Sequence, residues 1–298
     1  MIETSIKKLR DPFILVENGV YYAYGTGVPN MTDWNDTTYA CFINTSGRLD
    51  GDWVRTAHEI YVNPPHAVKN RWAPEVHKYK GAFYMFTTYY SDETNHRGST
   101  VLRSESPEGP FVEITNGHIT SPDWDCIDAT FYVDREGQPW MIFVHEWTCT
   151  DDGVGRMAAT KLSDDLTHFV SEPIELFRAD DPKWAGGRRV TDGCFMYDTA
   201  DGGLIMLWSN FDDHGYAVGI AKSSNGRVDG EWIQEEKPIF SRSMTGKHDG
   251  GHGMIFTSLE GEKYLCIHSP NKPSPEREEV PTLIPVEEKN GTIVCILD

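Results

Sequence analysis

The sequence predicts an all-β fold, a five-bladed β-propeller with four antiparallel strands per blade. Three observations predict it. A polar opening followed by a hairpin recurs five times, each hairpin is followed by further short strand-like segments, and helical periodicity is almost absent. The openings are Arg10-Asp11-Pro12-Phe13, Trp72-Ala73-Pro74-Glu75, Cys126-Ile127-Asp128-Ala129, Thr191-Asp192-Gly193-Cys194 and Gly250-Gly251-His252-Gly253. Taking Asp11, Trp72, Asp128, Asp192 and His252 as markers, the spacings are 61, 56, 64 and 60 residues. A period of this size is one supersecondary unit repeated, and radial all-β architectures hold chains of this length around a single axis. No linker or low-complexity stretch divides the chain, so residues 1–298 are expected to form one domain.

In the first unit, Phe13–Val16 and Tyr21–Tyr24 flank a turn at Glu17-Asn18-Gly19, and Asn-Gly is the strongest short hairpin signal. The second repeats this with Val76–Tyr79, a turn at Lys80-Gly81 and Phe83–Phe86. The third pairs Thr130–Val133 with Trp140–Val144, the fourth Phe195–Tyr197 with Leu204–Trp208, and the fifth Met254–Phe256 with Lys263–Ile267, each around a glycine turn. Third strands are expected at Ala40–Ile43, Thr100–Arg103, Met157–Thr160 and Ala217–Ile220. Fourth strands are expected at Asp52–Val54, Gly109–Val112, His168–Val170 and Glu231–Ile233. The fifth unit ends in Thr292–Ile296, and Thr4–Lys7 is expected to supply a closing strand.

Composition bounds the partners. Asp and Glu outnumber Lys and Arg by 46 to 27, a net charge of −19 that repels nucleic acid and anionic membranes, so neither is expected as a partner. A neutral carbohydrate is compatible with that field. The six cysteines form no CxxC pair and read as buried thiols, and the 12% aromatic content suits half-buried pleated surfaces. The N-terminus carries no apolar segment of signal-peptide length and no run reaches the ~18 apolar residues of a membrane span, so a cytoplasmic protein is expected. The oligomeric state is not legible.

In a propeller, the first strand of every blade lines the central channel and all five begin at the same mouth. Asp11, Asp128 and Asp192 would meet there, with Trp72 and His252 filling the other sectors. The second strand returns to the same mouth, which adds Thr26, Tyr89, Glu146 with Trp147, Asn210 and His268. Carboxylates around a pocket are what glycosidic bond cleavage needs, one ionised to activate water and one protonated to assist the leaving oxygen. Trp72 and Trp147 are candidate sugar platforms, with Trp34 and Trp124 either platforms or blade packing. The loop from Asp180 to Arg189 is a candidate pocket wall.

These five motifs, in this order and in register across the chain, resemble those of family 43 glycoside hydrolases. The resemblance implies a five-bladed propeller, an inverting mechanism and a pocket at the channel mouth. It implies Asp11 as general base and Asp128 as the residue that raises and orients the acid. It puts Asp192 at the position of the general acid, where the family has a glutamate in a Glu-Gly-Pro context; this chain has Asp and Cys194 there instead. An aspartate is one methylene shorter, so Glu146, in Val144-His145-Glu146-Trp147, is the alternative acid. His252 matches a channel histidine that contacts a calcium or sodium ion or a water network, although no cofactor is required for the chemistry. Relatives often place an arginine over the sugar hydroxyls, here Arg277, with His268 and Asn210 as further substrate contacts. The expected activity is removal of terminal α-L-arabinofuranosyl, β-xylosyl or galactofuranosyl units. A fructan hydrolase, a mannoside phosphorylase served by Arg188 and Arg189, and a non-catalytic sugar-binding propeller are the alternatives.

Overall fold

Apolar and aromatic residues alternating around glycine turns build five hairpins, and each hairpin grows outward into an antiparallel sheet. The computed structural model describes residues 1–29, 33–272 and 278–297. A short strand β1 (Ile2–Glu3) precedes the first blade, which runs β2 (Leu9–Glu17), β3 (Val20–Gly27), β4 (Thr38–Asn44) and β5 (Val54–Arg55). The second blade is β6 (Ala67–Tyr79), β7 (Ala82–Ser91), β8 (Arg97–Ser104) and β9 (Val112–Glu113). The third is β10 (Cys126–Val133), β11 (Pro139–His145), β12 (Arg156–Lys161) and β13 (Ile174–Arg178). The fourth is β14 (Asp192–Asp198), β15 (Leu204–Asp212), β16 (Gly215–Ser223) and β17 (Trp232–Gln234). The fifth holds β18 (Gly251–Thr257), β19 (Lys263–Ser269), β20 (Val280–Glu288) and β21 (Ile293–Cys295).

The innermost strands form a ring: β2 contacts β6, then β10, β14 and β18 follow in turn, and β18 returns to β2. Both chain ends close it. β1 pairs with β20 at Leu283 and Thr282, and β21 pairs with the same strand at Val286–Glu288. The expected closing strand at Thr4–Lys7 is therefore shifted to Ile2–Glu3. Thr4 still donates its N–H to Pro281 O at 3.1 Å, but Ile6 turns into the core and ends the pairing. A second shift occurs in the third blade, whose outer strand is Ile174–Arg178 instead of His168–Val170. There the Ser163 Oγ accepts the Thr167 and His168 N–H groups in a tight turn, and Phe169 pairs only with Leu162 before packing on Phe143.

Hydrophobic cores fill the wedges between blades, as where Phe86 of the second blade stacks on Phe131 of the third at 5.2 Å. Phe13, Phe195, Phe131 and His77 crowd the channel at the end away from the blade openings. All six cysteines are free, five of them buried. No helix among the described residues is long and apolar enough to cross a membrane.

The five openings share one backbone device. In each innermost strand two residues oppose one on the neighbouring strand, between Arg10 and Phe13, Trp72 and Glu75, Ile127 and Thr130, Asp192 and Phe195, and Gly251 and Met254. The first bulged residue is left-handed every time: Asp11 (φ 51°), Ala73 (45°), Asp128 (55°), Gly193 (53°) and His252 (52°). Such a bulge normally takes glycine, so four of the five carry strain. What sustains it is a hydrogen bond from each left-handed N–H. Thr26 Oγ1 accepts from Ala73 at 2.8 Å, Thr88 Oγ1 from Asp128 at 3.0 Å, Ser209 Oγ from His252 at 2.8 Å and His268 Nδ1 from Asp11 at 3.2 Å. Each of these acceptors sits on the second strand of the preceding blade. The equivalent register position in the third blade is Val144, which has no acceptor, and there Asp128 Oδ2 takes the Gly193 N–H at 3.0 Å.

Thr88→Val keeps the shape and leaves the buried Asp128 N–H without a partner, which should cost about 1–3 kcal/mol. Urea unfolding of the variant measures it; an unchanged midpoint would remove the bond from the account of how the blades are held.

Candidate active site

The bulges place two rows of side chains at the mouth. The left-handed positions contribute Asp11, Asp128 and His252, and the positions one residue earlier contribute Arg10, Trp72, Ile127 and Asp192; all seven line one pocket of about 250 Å³. Asp192 is thus not equivalent to Asp11 and Asp128, as the sequence alignment of the openings had it. It stands in the row of Arg10 and Trp72, and Gly193 takes the left-handed position. That glycine is required, because a Cβ there would lie 2.7 Å from the His252 ring.

His252 holds the inner row together. Its Nδ1 is 3.3 Å from Asp11 Oδ1 and 3.7 Å from Asp128 Oδ2. Burial favours the neutral ring, but Asp11, Asp128 and Glu75 outweigh it and carry the imidazolium pKa up to about 10. Burial likewise pushes Asp11 up, yet His252 and Arg10 win and hold it well below the usual carboxylate range; Thr26 also donates to its Oδ2 at 2.7 Å. Asp128 rises to about 6 through burial and the Asp11 charge, against the pull of His252. Asp192 has no cation in contact among the described residues. Burial and Asp128 raise it well above its ordinary value, although Tyr216 donates to its Oδ2 at 3.0 Å. One pocket therefore holds a carboxyl pulled well below its ordinary range and another pushed well above it.

Glu146 lines the pocket, but its Oε2 accepts from Arg97 Nε at 2.7 Å. Burial raises its pKa and Arg97 opposes the rise. A carboxyl held by a guanidinium is a poor proton donor and a good acceptor for a hydroxyl. Trp72 and Trp147 line the pocket as expected, and so does Trp34, whose ring lies 4.5 Å from the Arg10 guanidinium and whose carbonyl accepts from Trp72 Nε1 at 3.1 Å. Trp124 instead stacks on His145 at 4.0 Å, as packing.

Two expected substrate contacts do not reach the pocket. His268 is fully buried behind Asp11, accepting its N–H, with Nε2 3.3 Å from Asn271 Oδ1. Asn210 is fully buried and donates to Ala179 O at 2.9 Å. Strand alternation explains it: the neighbouring Ser209 faces the His252 N–H, so Asn210 faces the other way. Tyr89 is displaced relative to Thr88 for the same reason. None of the residues from Asp180 to Arg189 lines the pocket, since Trp184 is anchored 5.5 Å from Trp208 and Arg189 donates to Asp152 O. Arg277 lies outside the described residues.

The residues that sequence reasoning missed act from a distance in the chain. Arg10 pairs with Glu279 and donates to Asn271 O and Oδ1; its place in the opening motif was the available signal. Arg97 and Tyr216, which begin or nearly begin third strands, carried no signal. Cys194 donates its thiol to Asp128 O at 3.1 Å, so the residue in the proline position ties the third blade to the fourth.

The resemblance puts a calcium or sodium ion, or a water network, beside His252. Among the described residues no group of three or more His, Cys, Asp or Glu side chains forms a metal site. His252 Nε2 is buried without a hydrogen-bond partner, on a ring whose charged neighbours Asp11, Asp128 and Glu75 are all acidic.

The sequence profile described as "Glycosyl hydrolases family 43" matches residues 5–293. An endo-arabinase structure from Bacteroides thetaiotaomicron is 35% identical, with a TM-score of 0.83 and 98% of each chain covered. The extracellular exo-α-(1→5)-L-arabinofuranosidase ArbA of Cellvibrio japonicus is 25% identical over 289 residues, covering 88% of this chain and 78% of its own. A thermostable family-43 glycoside hydrolase superposes with a TM-score of 0.84 at 20% identity, over 99% of this chain and 96% of that one, a likeness of fold.

The raised His252 pKa fixes a sign. Below the unfolded value of about 6.5 both states hold the proton, and the contribution of His252 to stability is complete. Between there and about 10 only the folded state keeps it, so that contribution falls as pH rises. Urea midpoints across this window should decline less for His252→Gln than for the parent protein; parallel declines would contradict the imidazolium.

Proposed function

The chain belongs to glycoside hydrolase family 43, and on that premise we propose that it is an inverting, exo-acting hydrolase that removes terminal α-L-arabinofuranosyl units from short oligosaccharides. The observation that carries the mechanism is a pair of carboxyls shifted in opposite directions on different rows of one pocket, Asp11 well below the usual carboxylate range and Asp192 well above it, which suits them to act as base and acid. Water attacking the anomeric carbon gives a proton to Asp11, while Asp192 gives its proton to the departing oxygen. One proton enters the protein and one leaves, and exchange with solvent restores the starting state. Inversion follows because attack and departure occur on opposite faces in one step. Asp128 raises the acid by its charge, and His252 keeps the base ionised. Glu146, held by Arg97, accepts from a sugar hydroxyl.

Exo action is supported by the pocket's size: about 250 Å³ is below the ~300–1,000 Å³ usual for small-molecule sites and suits one enclosed sugar. The arabinofuranosyl assignment rests on the relatives, one an exo-α-(1→5)-L-arabinofuranosidase and the other an endo-arabinase. The endo-arabinase is the more similar in sequence, which makes internal cleavage of arabinan the second reading. Against a phosphorylase, Arg188 and Arg189 lie outside the pocket.

Linear α-1,5-arabinan digested by the protein should yield arabinose from the first time points, with inverted anomeric configuration by proton NMR. Early oligosaccharides would select the endo reading, and a retained anomer would rule out the mechanism. Asp11→Asn should lower kcat by about 10²–10⁴-fold in protein shown to be folded by circular dichroism; near-normal turnover would exclude Asp11 as the base.

A further inference from the structure

Asp192 is a short acid with a single fixed partner. Tyr216, the second residue of β16, is 2% exposed, and its hydroxyl lies 3.0 Å from Asp192 Oδ2. The ring stacks on His268 at 5.6 Å and 22°, and His268 accepts the N–H of Asp11. Tyr216 therefore touches the acid through its oxygen and the support of the base through its ring. Its backbone N–H is tied to Asp249 Oδ2 at 3.1 Å, and Asp249 Oδ1 accepts from Asn271 N, next to the His268 contact. The ring packs against Gly251, where a Cβ would sit only 2.4 Å from it.

Burial and the negative charges of Asp11 and Asp128 keep the phenol's proton on its oxygen. The Tyr216 hydroxyl, which keeps its proton, donates to Asp192 Oδ2. An Oδ2 that accepts this bond leaves the acid's own proton on Oδ1, which accepts no hydrogen bond from any described residue. We propose that Tyr216 is the positioning residue of the general acid: by donating to Oδ2 it keeps the transferable proton on Oδ1, and by stacking on His268 it fixes the spacing of acid and base. The sequence offers a reason for such a device. A carboxyl one methylene shorter than glutamate has fewer rotamers with which to find the leaving oxygen, and a fixed donor removes the wrong ones. The inference rests on the reading of Asp192 as the acid.

The test compares Tyr216→Phe, Asp192→Asn and the parent protein on aryl glycosides of whichever sugar the parent cleaves, with one acidic leaving group (2,4-dinitrophenol) and one poor one (phenol). Phenylalanine keeps the ring and its stacking, and Tm reports the fold. Tyr216→Phe should lose about 10- to 100-fold in kcat/KM on the phenyl glycoside, the range expected for a hydrogen bond to a charging group. It should stay within about threefold of the parent on the dinitrophenyl glycoside, whose departure needs no proton. Asp192→Asn should show the same selectivity, more steeply. Equal losses on both substrates, or none on either, would overturn the role of Tyr216. An Asp192→Asn variant without leaving-group selectivity would overturn the acid assignment itself, which separates the two failures.

Discussion

The site depends on one hydrogen bond repeated around the channel: the N–H of a left-handed bulge residue, given to an acceptor across the blade boundary. The bulge swings two consecutive side chains of each inner strand toward the mouth, and it does so at the expense of backbone strain and an unpaired donor. A side chain on the second strand of the blade before satisfies that donor at four of the five boundaries. Packing of one blade on the next and the aim of the catalytic side chains are thus the same interaction. The fifth boundary shows the rule by its exception: Val144 cannot accept, and Asp128 takes the bond to Gly193 N–H that three hydroxyls and an imidazole take elsewhere.

Two rows of residues follow from two bulged positions, and the rows separate charge. The inner row gathers Asp11 and Asp128 around a protonated His252, which would be unaffordable for two carboxylates alone in a buried site. The outer row places Asp192 beyond the reach of that imidazolium's hydrogen bonds but within the field of both aspartates. The base is held low by a cation, and the acid is raised by burial first and by its neighbours' negative charge second. The same three aspartates distributed evenly around the channel would not divide their roles in this way.

Much of this was legible in the chain. The sixty-residue recurrence, the glycine turns and the aromatic hairpins specify five blades, because those signals are local and repeat. Asp11, Asp128, His252, Trp72 and Trp147 were legible because they open or end strands whose direction is fixed. The bulge was not, since it is a mismatch in residue count between two strands and leaves no mark in either alone. That is why the sequence puts Asp192 level with Asp11 and Asp128, and why it points to Asn210 where Ser209 faces the site: one residue of phase reverses the face. Tyr216 and Arg97 belong to third strands whose residues approach the site only through tertiary pairing. The outer strand of the third blade was misplaced because the turn from Ser163 to His168 is closed by side-chain bonds that an apolar pattern does not reveal.

The central claim is that the fold holds two carboxyls of one pocket in opposite protonation states. Neutron diffraction from a deuterated crystal at neutral pH would see this directly. The account predicts a deuteron on Asp192, deuterons on both ring nitrogens of His252, and none on Asp11. A bare Asp192, or a deuteron on Asp11, would contradict it.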